Sequence, residues 1–153
     1  MEQLSIQELD LLRLLQKDSA FEVNDLMKRL NMSRTTVYER IKKLENEGYI
    51  KGYVAIIDRE KIGLNFTVIV TVSLISQRAE YVEEFSEQVA QLAEVVEAYV
   101  TGGIFDYVLK VMVKDLKAYN DFIAKKLSII PNISNIKSSF VMSYIKQSTE
   151  LPF

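Results

Sequence analysis

The spacing of hydrophobic residues changes once along this chain, at Gly48, and that change limits the possible folds more than any other feature. Before Gly48, apolar residues recur at intervals of three and four, as they do on the buried face of a helix. The clearest run is Val23, Leu26, Met27 and Leu30. After Gly48, short segments rich in β-branched and aromatic residues alternate with two more helical segments. The sequence therefore predicts an α+β protein, with a helical N-terminal part followed by a mixed domain.

Local signals place the ends of three short N-terminal helices. Ser5 and Glu8 have the Ser-x-x-Glu spacing of a capping box, which predicts a first helix over residues 6–17. Asn31 suits the left-handed conformation that ends a helix, here the second one. Ser33 is a good N-cap for a third helix. Because a tight turn joins the second helix to the third, the two form a predicted helix-turn-helix.

The third helix carries a small basic stripe on its outward side. Val37, Ile41 and Leu44 line the buried side, and polar side chains occupy the opposite one. In a recognition helix, the N-terminal residues approach base edges in the major groove while Arg and Lys neutralise phosphates. We therefore expect this helix to bind double-stranded DNA. The predicted DNA-binding residues are Ser33, Arg34, Thr35, Thr36, Tyr38, Glu39, Arg40, Lys42 and Lys43.

An ordinary solvated helix face is the alternative. Glu39 stands three and four positions before Lys42 and Lys43 and can pair with either of them. Tyr38 suits phosphate contact and packing equally well. The preceding helix, its turn and the N-cap favour the DNA-binding interpretation, since a tight two-helix unit is the usual way to present such a helix.

The rest of the chain has the predicted element order βαββαβ, after a strand or extended connector that follows Tyr49. The strands are predicted over residues 66–75, 95–100, 107–113 and 133–145, and the helices over residues 80–92 and 116–129. This order is typical of a ferredoxin-like fold, in which helices cover one face of an antiparallel sheet. The other face then needs a partner, so we expect a homodimer. Candidate contacts on that face are Tyr99, Phe140, Met142 and Tyr144.

The domain boundaries follow from these elements. A three-helix, winged-helix-like helix-turn-helix domain is predicted over residues 1–52, a hinge over residues 53–64, and the ferredoxin-like domain over residues 65–153.

Composition excludes several classes of function. The chain has no cysteine and no histidine, which excludes disulfides, thiolate nucleophiles, Ser-His relays and zinc sites built on imidazole or thiolate. We expect no catalytic residue, no metal and no cofactor. A net charge of −2 and a pI near 5.3 argue against a uniformly basic surface, so DNA binding depends on the local stripe.

Nothing in the sequence predicts a membrane partner. The longest apolar stretch, residues 66–75, is far shorter than the roughly 20 residues that a membrane-spanning helix needs. The Met1–Ser5 segment is neither basic nor followed by an apolar signal core. A cytoplasmic protein is therefore expected.

Five segments of the chain carry a further signal: Leu9-Asp10, Leu15 to Asp18, Met32 to Arg40, Lys43 to Tyr53 and Gly103 to Lys110, the last of which contains a Gly-x-x-Asp-Tyr motif. Together they resemble the Lrp/AsnC (leucine-responsive and asparagine regulator, or feast/famine) family. The resemblance implies homodimers built on paired C-terminal sheets, assemblies as large as octamers, and amino-acid effectors bound in clefts between those domains.

The resemblance also implies where an effector binds. The matching positions are Gly102, Gly103, Asp106 and Ser138. Asp106 would supply a carboxylate for an α-ammonium group, and amides of the glycine loop would hold the α-carboxylate. The alternative is structural, with Gly102-Gly103 forming a tight turn and Asp106 accepting backbone N–H groups. Ile104 and Ile136 stand where polar residues are usual, so an effector with a partly apolar side chain is expected.

The sequence thus predicts a DNA-binding transcriptional regulator with no catalytic activity, whose symmetric dimer reads a pseudo-palindromic operator. The competing hypothesis is a ligand-binding and assembly module whose helical domain contacts protein, not DNA. Phosphate binding weakens steeply as salt rises and docking on an apolar face does not, so salt dependence separates the two.

Overall fold

The computed structural model describes residues 4–153 and divides the chain into two compact units. One unit contains the residues up to Ile56 together with Ile145–Phe153, and the other contains Ile57–Tyr144. The chain therefore passes twice from one unit to the other. Residues 1–3, which begin the segment considered for a secretion signal, lie outside the described residues.

The first unit is built on three helices, α1 (Ile6–Leu15), α2 (Val23–Leu30) and α3 (Arg34–Asn46). Ser5 Oγ accepts a hydrogen bond from the Glu8 backbone N (3.3 Å), and the Glu8 carboxylate accepts one from the Ser5 backbone N (2.8 Å). This is the expected capping box. Asn31 is left-handed, with φ 50° and ψ 49°, and Ser33 caps α3. The three predicted helices are confirmed.

The core of the first unit is small. Leu11 of α1, Leu26 of α2, and Val37 and Leu44 of α3 are almost completely buried. Each such side chain contributes about 1.5–3 kcal/mol relative to an exposed one. Because two of the four belong to α3, the inward side of that helix is fixed and its polar side faces out.

An extended connector follows α3. The Ile50 backbone N still donates to Leu44 O (3.1 Å), but residues 51–57 form no strand with any described part of the chain. Val54 and Ile56 in this segment are each 82% exposed. The sequence predicted either a strand or an extended connector after Tyr49, and the structure has the connector.

The second unit has the element order βαββαβ. Its elements are β1 (Phe66–Leu74), α4 (Ala79–Ala90), β2 (Val95–Val100), β3 (Tyr107–Val113), α5 (Leu116–Phe122) and β4 (Ile133–Phe140). A π-helical turn, Ile123–Leu127, extends α5. The sheet order is β2-β3-β1-β4, and every neighbouring pair is antiparallel. The predicted ferredoxin-like topology is confirmed.

One face of this sheet forms the core of the second unit. Alternate residues of β1 and β3 are buried, with Val70 directly opposite Leu109. Helices α4 and α5 cover this face, and the Phe85 and Tyr107 rings lie 4.4 Å apart between centroids. Most of the residues between them on β1 and β3, such as Val108, are only partly covered, and Thr67 is the buried exception. We call this second side the open face of the sheet.

The last strand differs from the prediction. It ends at Phe140, before the expected end at residue 145. Its register places Ser138 opposite Val70, so Ser138 and Phe140 both point to the helix-bearing face. The Phe140 ring packs edge-on against Tyr119 of α5, with centroids 5.3 Å apart. The expectation that Phe140 covers the open face is therefore wrong, because the alternation of β4 turns this side chain the other way.

Arg59 joins the two ends of the second unit. Its NH1 donates to Thr67 Oγ1 (2.8 Å) and to the Tyr144 hydroxyl (2.5 Å). Its guanidinium carbon lies 4.1 Å from the centroid of the Tyr144 ring. A cation held against an aromatic face in this way is a favourable contact. Arg59 thus fastens the segment that enters the unit to the segment that leaves it.

Residues 145–153, the C-terminal tail, are held by α1 and the residue after it. The Gln16 amide accepts from Leu151 N (2.9 Å) and donates to Leu151 O (3.3 Å). Arg13 Nε donates to the backbone O of Phe153 (2.9 Å), and its guanidinium carbon lies 5.7 Å from the centroid of that ring. An apolar groove of about 700 Å³ lies between α1, the connector and the tail.

The position of the C-terminal tail departs from the predicted boundaries. The ferredoxin-like domain was expected to extend to residue 153, whereas the structure groups the tail with the helices. The reason is that side chains of Arg13 and Gln16 satisfy the backbone of the tail. Such contacts between distant parts of the chain leave no periodic pattern in the sequence.

Candidate functional site

The outward face of α3 consists of Thr35, Glu39 and Lys42, all of which are exposed. Within residues 4–153, none of these three side chains makes a hydrogen bond or an ion pair. The intrahelical pairing of Glu39 with Lys42 or Lys43, which a solvated face would favour, is therefore not formed. This polar face is available to a molecule outside the chain.

Four of the other predicted DNA-binding residues lie at or near the start of α3. Ser33 Oγ accepts from Thr36 N (3.2 Å), and the two hydroxyl oxygens lie 2.7 Å apart. These two residues therefore form the N-cap of the helix. Arg34 and Tyr38 flank the outward face, with the guanidinium carbon 5.8 Å from the ring centroid.

Arg40 and Lys43 are directed to the start of α1. Arg40 donates to Ser5 Oγ (3.2 Å) and to Gln7 Oε1 (2.7 Å). Lys43 Nζ lies 3.0 Å from Glu8 Oε1. These two cations were predicted to contact DNA. In the structure, both side chains also bond to residues of the helical unit itself. They hold α3 against α1.

Glu8 is a strongly perturbed carboxylate of the helical unit. Its side chain is buried, and its pKa is lowered to about 2. Hydrogen bonds from the hydroxyl and the backbone N–H of Ser5 are the main causes, and the bond from Lys43 adds to them. A charged carboxylate in the first turn also interacts favourably with the positive end of a helix.

The second candidate site is the loop of residues 101–106, between β2 and β3. Thr101 closes the loop, since its N donates to Asp106 O (2.9 Å) and its Oγ1 to Phe105 O (2.5 Å). The Asp106 N donates to Val72 O (3.0 Å) and so attaches the loop to β1.

Both carboxylate oxygens of Asp106 accept hydrogen bonds. Oδ2 accepts from Leu74 N (2.7 Å), and Oδ1 accepts from Gln77 Nε2 (2.7 Å). The structural alternative, a carboxylate that accepts backbone N–H groups, is therefore present at one oxygen. The other oxygen faces a neutral side chain on an exposed segment.

Gly102 and Gly103 are exposed at the tip of this loop. Neither has a positive φ, and a Cβ added to either would meet nothing within 4 Å. Neither backbone strain nor crowding within the described chain requires glycine at these positions. A side chain here would obstruct only a molecule that approaches the loop from outside.

The predicted grouping of Ser138 with Asp106 is not found within the chain. Strand β1 separates β4, which carries Ser138, from β3, which follows the loop. The Ser138 hydroxyl bonds to the Tyr119 hydroxyl on the helix-bearing face. Its neighbour Lys137 reaches the loop instead, with Nζ 5.3 Å from the centroid of the Phe105 ring.

Asn132 and Gln77 are the residues near this loop that sequence reasoning missed. Asn132 Oδ1 accepts from Ser76 N (3.0 Å), Asn132 Nδ2 donates to Ser76 O (2.8 Å), and Asn132 O accepts from Ile75 N (2.8 Å). Asn132 has a φ of 69°, and Asn is among the few residues that adopt such a φ readily. A lone Asn after Pro131 was the only available signal.

No group of three His, Cys, Asp or Glu side chains in residues 4–153 is arranged to hold a metal ion. No helix in the same range is long and apolar enough to cross a bilayer.

Comparison with known proteins places both candidate sites in named domains. Residues 67–151 match the Lrp/AsnC ligand binding domain, and residues 4–51 match a winged helix-turn-helix DNA-binding domain. The DNA-binding transcriptional activator DecR of Escherichia coli K12 is 35% identical over 142 residues, which are 93% of each chain. The chain belongs to the Lrp/AsnC family.

As an Lrp/AsnC protein, the chain is a DNA-binding transcriptional regulator. The Bkd operon transcriptional regulator of Pseudomonas aeruginosa is a further relative, 36% identical over 138 residues, 90% of each chain. Helix α3 lies in the matched DNA-binding domain and the 101–106 loop in the matched ligand binding domain.

Solved structures of the Lrp/AsnC type agree over nearly the whole chain. A transcriptional regulator of Neisseria meningitidis, in complex with L-Met, has a TM-score of 0.93 and 27% identity, covering 98% of this chain and 97% of that one. An AsnC family regulator from Agrobacterium tumefaciens has a TM-score of 0.92 and 38% identity, covering 97% of each chain.

Proposed function

We propose that this regulator reads double-stranded DNA with the outward face of α3. The observation that carries the proposal is that Thr35, Glu39 and Lys42 are exposed and without partners in residues 4–153, while the opposite side of the helix is fixed in the core. Thr35 lies near the N-terminus of α3, where base edges are approached. Glu39 accepts from a cytosine amino group, and Lys42 neutralises a phosphate.

The remaining predicted DNA-binding residues take supporting roles in this proposal. Arg34 and Tyr38 contact the DNA backbone beside the outward face, and Ser33 with Thr36 holds the start of the helix. Arg40 and Lys43 set the angle of α3 by binding α1.

A salt titration of DNA binding tests the proposal. Operator fragments are selected from genomic DNA, and binding is followed by fluorescence anisotropy at several salt concentrations. Lys42→Ala should weaken binding to all sequences and lower the salt slope by about 1, because one phosphate contact is lost. Lys117→Ala, an exposed cation of the second unit, is the matched control and should change neither quantity.

Two outcomes would count against DNA reading by α3. An unchanged slope in Lys42→Ala would remove the outward face from the interface. Binding that does not depend on salt at all would favour the alternative, a helical domain that docks on protein.

We further propose that the regulator acts as a homodimer, formed through the open face of its sheet. These dimers can form assemblies as large as octamers. Val108 on β3 is only partly covered, and Tyr99 on the neighbouring β2 is 52% exposed. A symmetric dimer presents two copies of α3, so the operator is a pseudo-palindrome. Since its target is chromosomal DNA, the proposed place of action is the cytoplasm.

The proposed effector is an amino acid bound at the 101–106 loop. Asp106 receives the α-ammonium group, the exposed amides of Gly102 and Gly103 receive the α-carboxylate, and Ile104, 89% exposed, supplies apolar surface. The L-Met complex of the related regulator supports this choice. Because Ser138 lies two strands away from the loop, it joins the site only if a second copy supplies it.

A thermal-shift screen of the twenty amino acids tests the effector proposal. A ligand at 100 times its dissociation constant should add about 2.7 kcal/mol of stability. Asp106→Ala should then cost about 1.5–3 kcal/mol of affinity, the scale of a hydrogen bond to a charged group. Asp106→Asn keeps an acceptor for Leu74 N and removes the charge. A loss of affinity in this variant therefore reports the missing ion pair with the ligand, and not a disrupted loop structure. Equal binding to all three proteins would place the effector elsewhere.

A further inference from the structure

Asp106 is a carboxylate satisfied only by neutral donors. Its two bonded partners are a backbone N–H and a glutamine amide, and it forms no ion pair with any Lys or Arg of residues 4–153. The carboxylate makes both of these bonds charge-assisted, but an ammonium donor adds the Coulombic attraction of an opposite full charge, which a neutral amide lacks. A ligand ammonium therefore has an energetic advantage over either donor already in place.

The two donors, Leu74 N and Gln77 Nε2, differ in how easily a ligand can displace them from Asp106. Leu74 N belongs to the end of β1, an inner strand of the sheet, and its departure would disrupt the end of that strand. Gln77 lies on an exposed segment between β1 and α4, and only its side chain makes the contact. Losing this contact changes a side-chain rotamer and leaves the amide free to bond with water.

The backbone next to Gln77 is held independently of Asp106. Asn132 bonds both the N and the O of Ser76, so the segment keeps its position whether or not Gln77 contacts the carboxylate. The Gln77 side chain thus extends from a backbone segment that is held in place, and its amide contacts one oxygen of Asp106. Releasing it does not require the loop to unfold.

We propose that Gln77 is an internal competitor of the effector: its amide occupies Oδ1 of Asp106 until the α-ammonium of an amino acid replaces it. This inference rests on the proposed effector site and adds a residue that sets its affinity. Gln77 keeps the half-buried carboxylate satisfied in the empty protein, and the exchange raises the threshold concentration at which the effector binds. The identity of residue 77 therefore tunes the response to amino acids.

Two substitutions with opposite expected effects test the proposal. The full chain is titrated by calorimetry with the twenty common amino acids singly, beginning with L-methionine. Gln77→Ala removes the competitor and should tighten binding about two- to tenfold, the range of one modest hydrogen bond. Gln77→Lys tethers an ammonium beside Asp106 and should weaken binding by about tenfold or more, since a tethered group has a high effective concentration.

A second glutamine–carboxylate pair offers a matched control. Gln88 Nε2 donates to Glu84 Oε1 (3.2 Å) on the surface of α4, away from the 101–106 loop. Gln88→Ala and Gln88→Lys make the same chemical changes and should leave the dissociation constant unchanged. The analogue of the bound amino acid that lacks the α-amino group should bind wild type and Gln77→Ala with equal strength.

The outcomes separate this inference from the proposal on which it rests. If Asp106→Asn loses binding while both Gln77 variants bind as wild type does, the effector site stands and the role of Gln77 is wrong. If no amino acid binds, or if Asp106→Asn binds as tightly as wild type, both are wrong. Opposite changes in the two Gln77 variants, with unchanged Gln88 controls, establish the competition.

Discussion

Glu8 shows how one side chain connects the two helices that matter for DNA reading. Its carboxylate accepts from the Ser5 hydroxyl and backbone and from Lys43, so a single charge serves both the cap of α1 and the attachment of α3. The folded-state pKa, about 2, lies below the ordinary value of 4.5 for a glutamate. The charged form is therefore favoured by folding, and its contribution is complete above about pH 4.5 and is lost as the pH falls toward 2.

A pH series of unfolding measurements tests this role of Glu8. Glu8→Gln retains the side-chain length and hydrogen-bonding ability of a capping box and removes the charge. It should lower the free energy of unfolding by on the order of 1–2 kcal/mol at pH 7, with allowance for solvent screening. The difference from wild type should narrow between pH 4.5 and pH 2 in urea titrations. Glu87→Gln on the exposed side of α4 is the control, and a gap that stays constant across this range would contradict the assignment.

At the scale of elements, the 101–106 loop contains glycines that neither the backbone conformation nor the packing of the described chain requires. Gly103→Ala should leave the free energy of unfolding within about 0.5 kcal/mol of wild type, as surface substitutions away from special features usually do. Gly48 is the contrasting case, because its φ of 76° ends α3. Gly48→Ala should cost about 1 kcal/mol.

Binding measurements complete the comparison of the two glycines. Gly103→Ala should weaken amino-acid binding in calorimetry, since the added methyl group stands where an effector approaches. Gly48→Ala should leave effector affinity unchanged. A Gly103→Ala protein that loses stability but binds normally would show that the glycine serves the fold.

The elements predicted correctly are those with local signals. Ser5 with Glu8, the left-handed Asn31 and the Ser33 cap each act within a few residues, so the helix ends were visible in the sequence. The βαββαβ order followed from the change in hydrophobic period. Contacts between distant segments were not visible: neither the bond from Gln77 to Asp106 nor the clamp of Asn132 leaves a repeating pattern.

The face of a strand residue was equally difficult to predict. Ser138 and Phe140 were assigned without a register, and a shift of one residue moves every side chain to the other face. Only the pairing of β4 with β1 shows that both residues lie on the helix-bearing face. Similarly, the bonds of Arg40 and Lys43 to the start of α1 could not be predicted from the helical wheel, and their contact with phosphates stays a prediction.

At the scale of the whole molecule, the open face of the sheet is the surface proposed for assembly. Val108 lies on this face, opposite Thr71 on β1 and Tyr99 on β2. Val108→Asp places a charge at the centre of the proposed interface, where burying it unpaired is costly. Light scattering should show a smaller species than wild type, and circular dichroism should show the same secondary structure.

Lys117→Asp, at an exposed position of α5 on the helix-bearing side of the sheet, introduces the same side chain away from the open face and should not change the molar mass. DNA affinity should fall together with assembly in Val108→Asp, because a single copy presents only one α3 to a two-fold operator. A Val108→Asp protein with the molar mass of wild type would move the interface away from this face.

The double passage of the chain has a consequence for how the protein is made. A ribosome releases the three helices first, and residues 145–153, which Arg13 and Gln16 hold, follow only after residues 57–144. Until then, the apolar groove beside α1 has no tail to border it. Domains generally fold in the order of their synthesis. In this regulator the helical unit therefore acquires its contacts with residues 145–153 only after the whole second unit has been translated, so a unit that folds early is completed late.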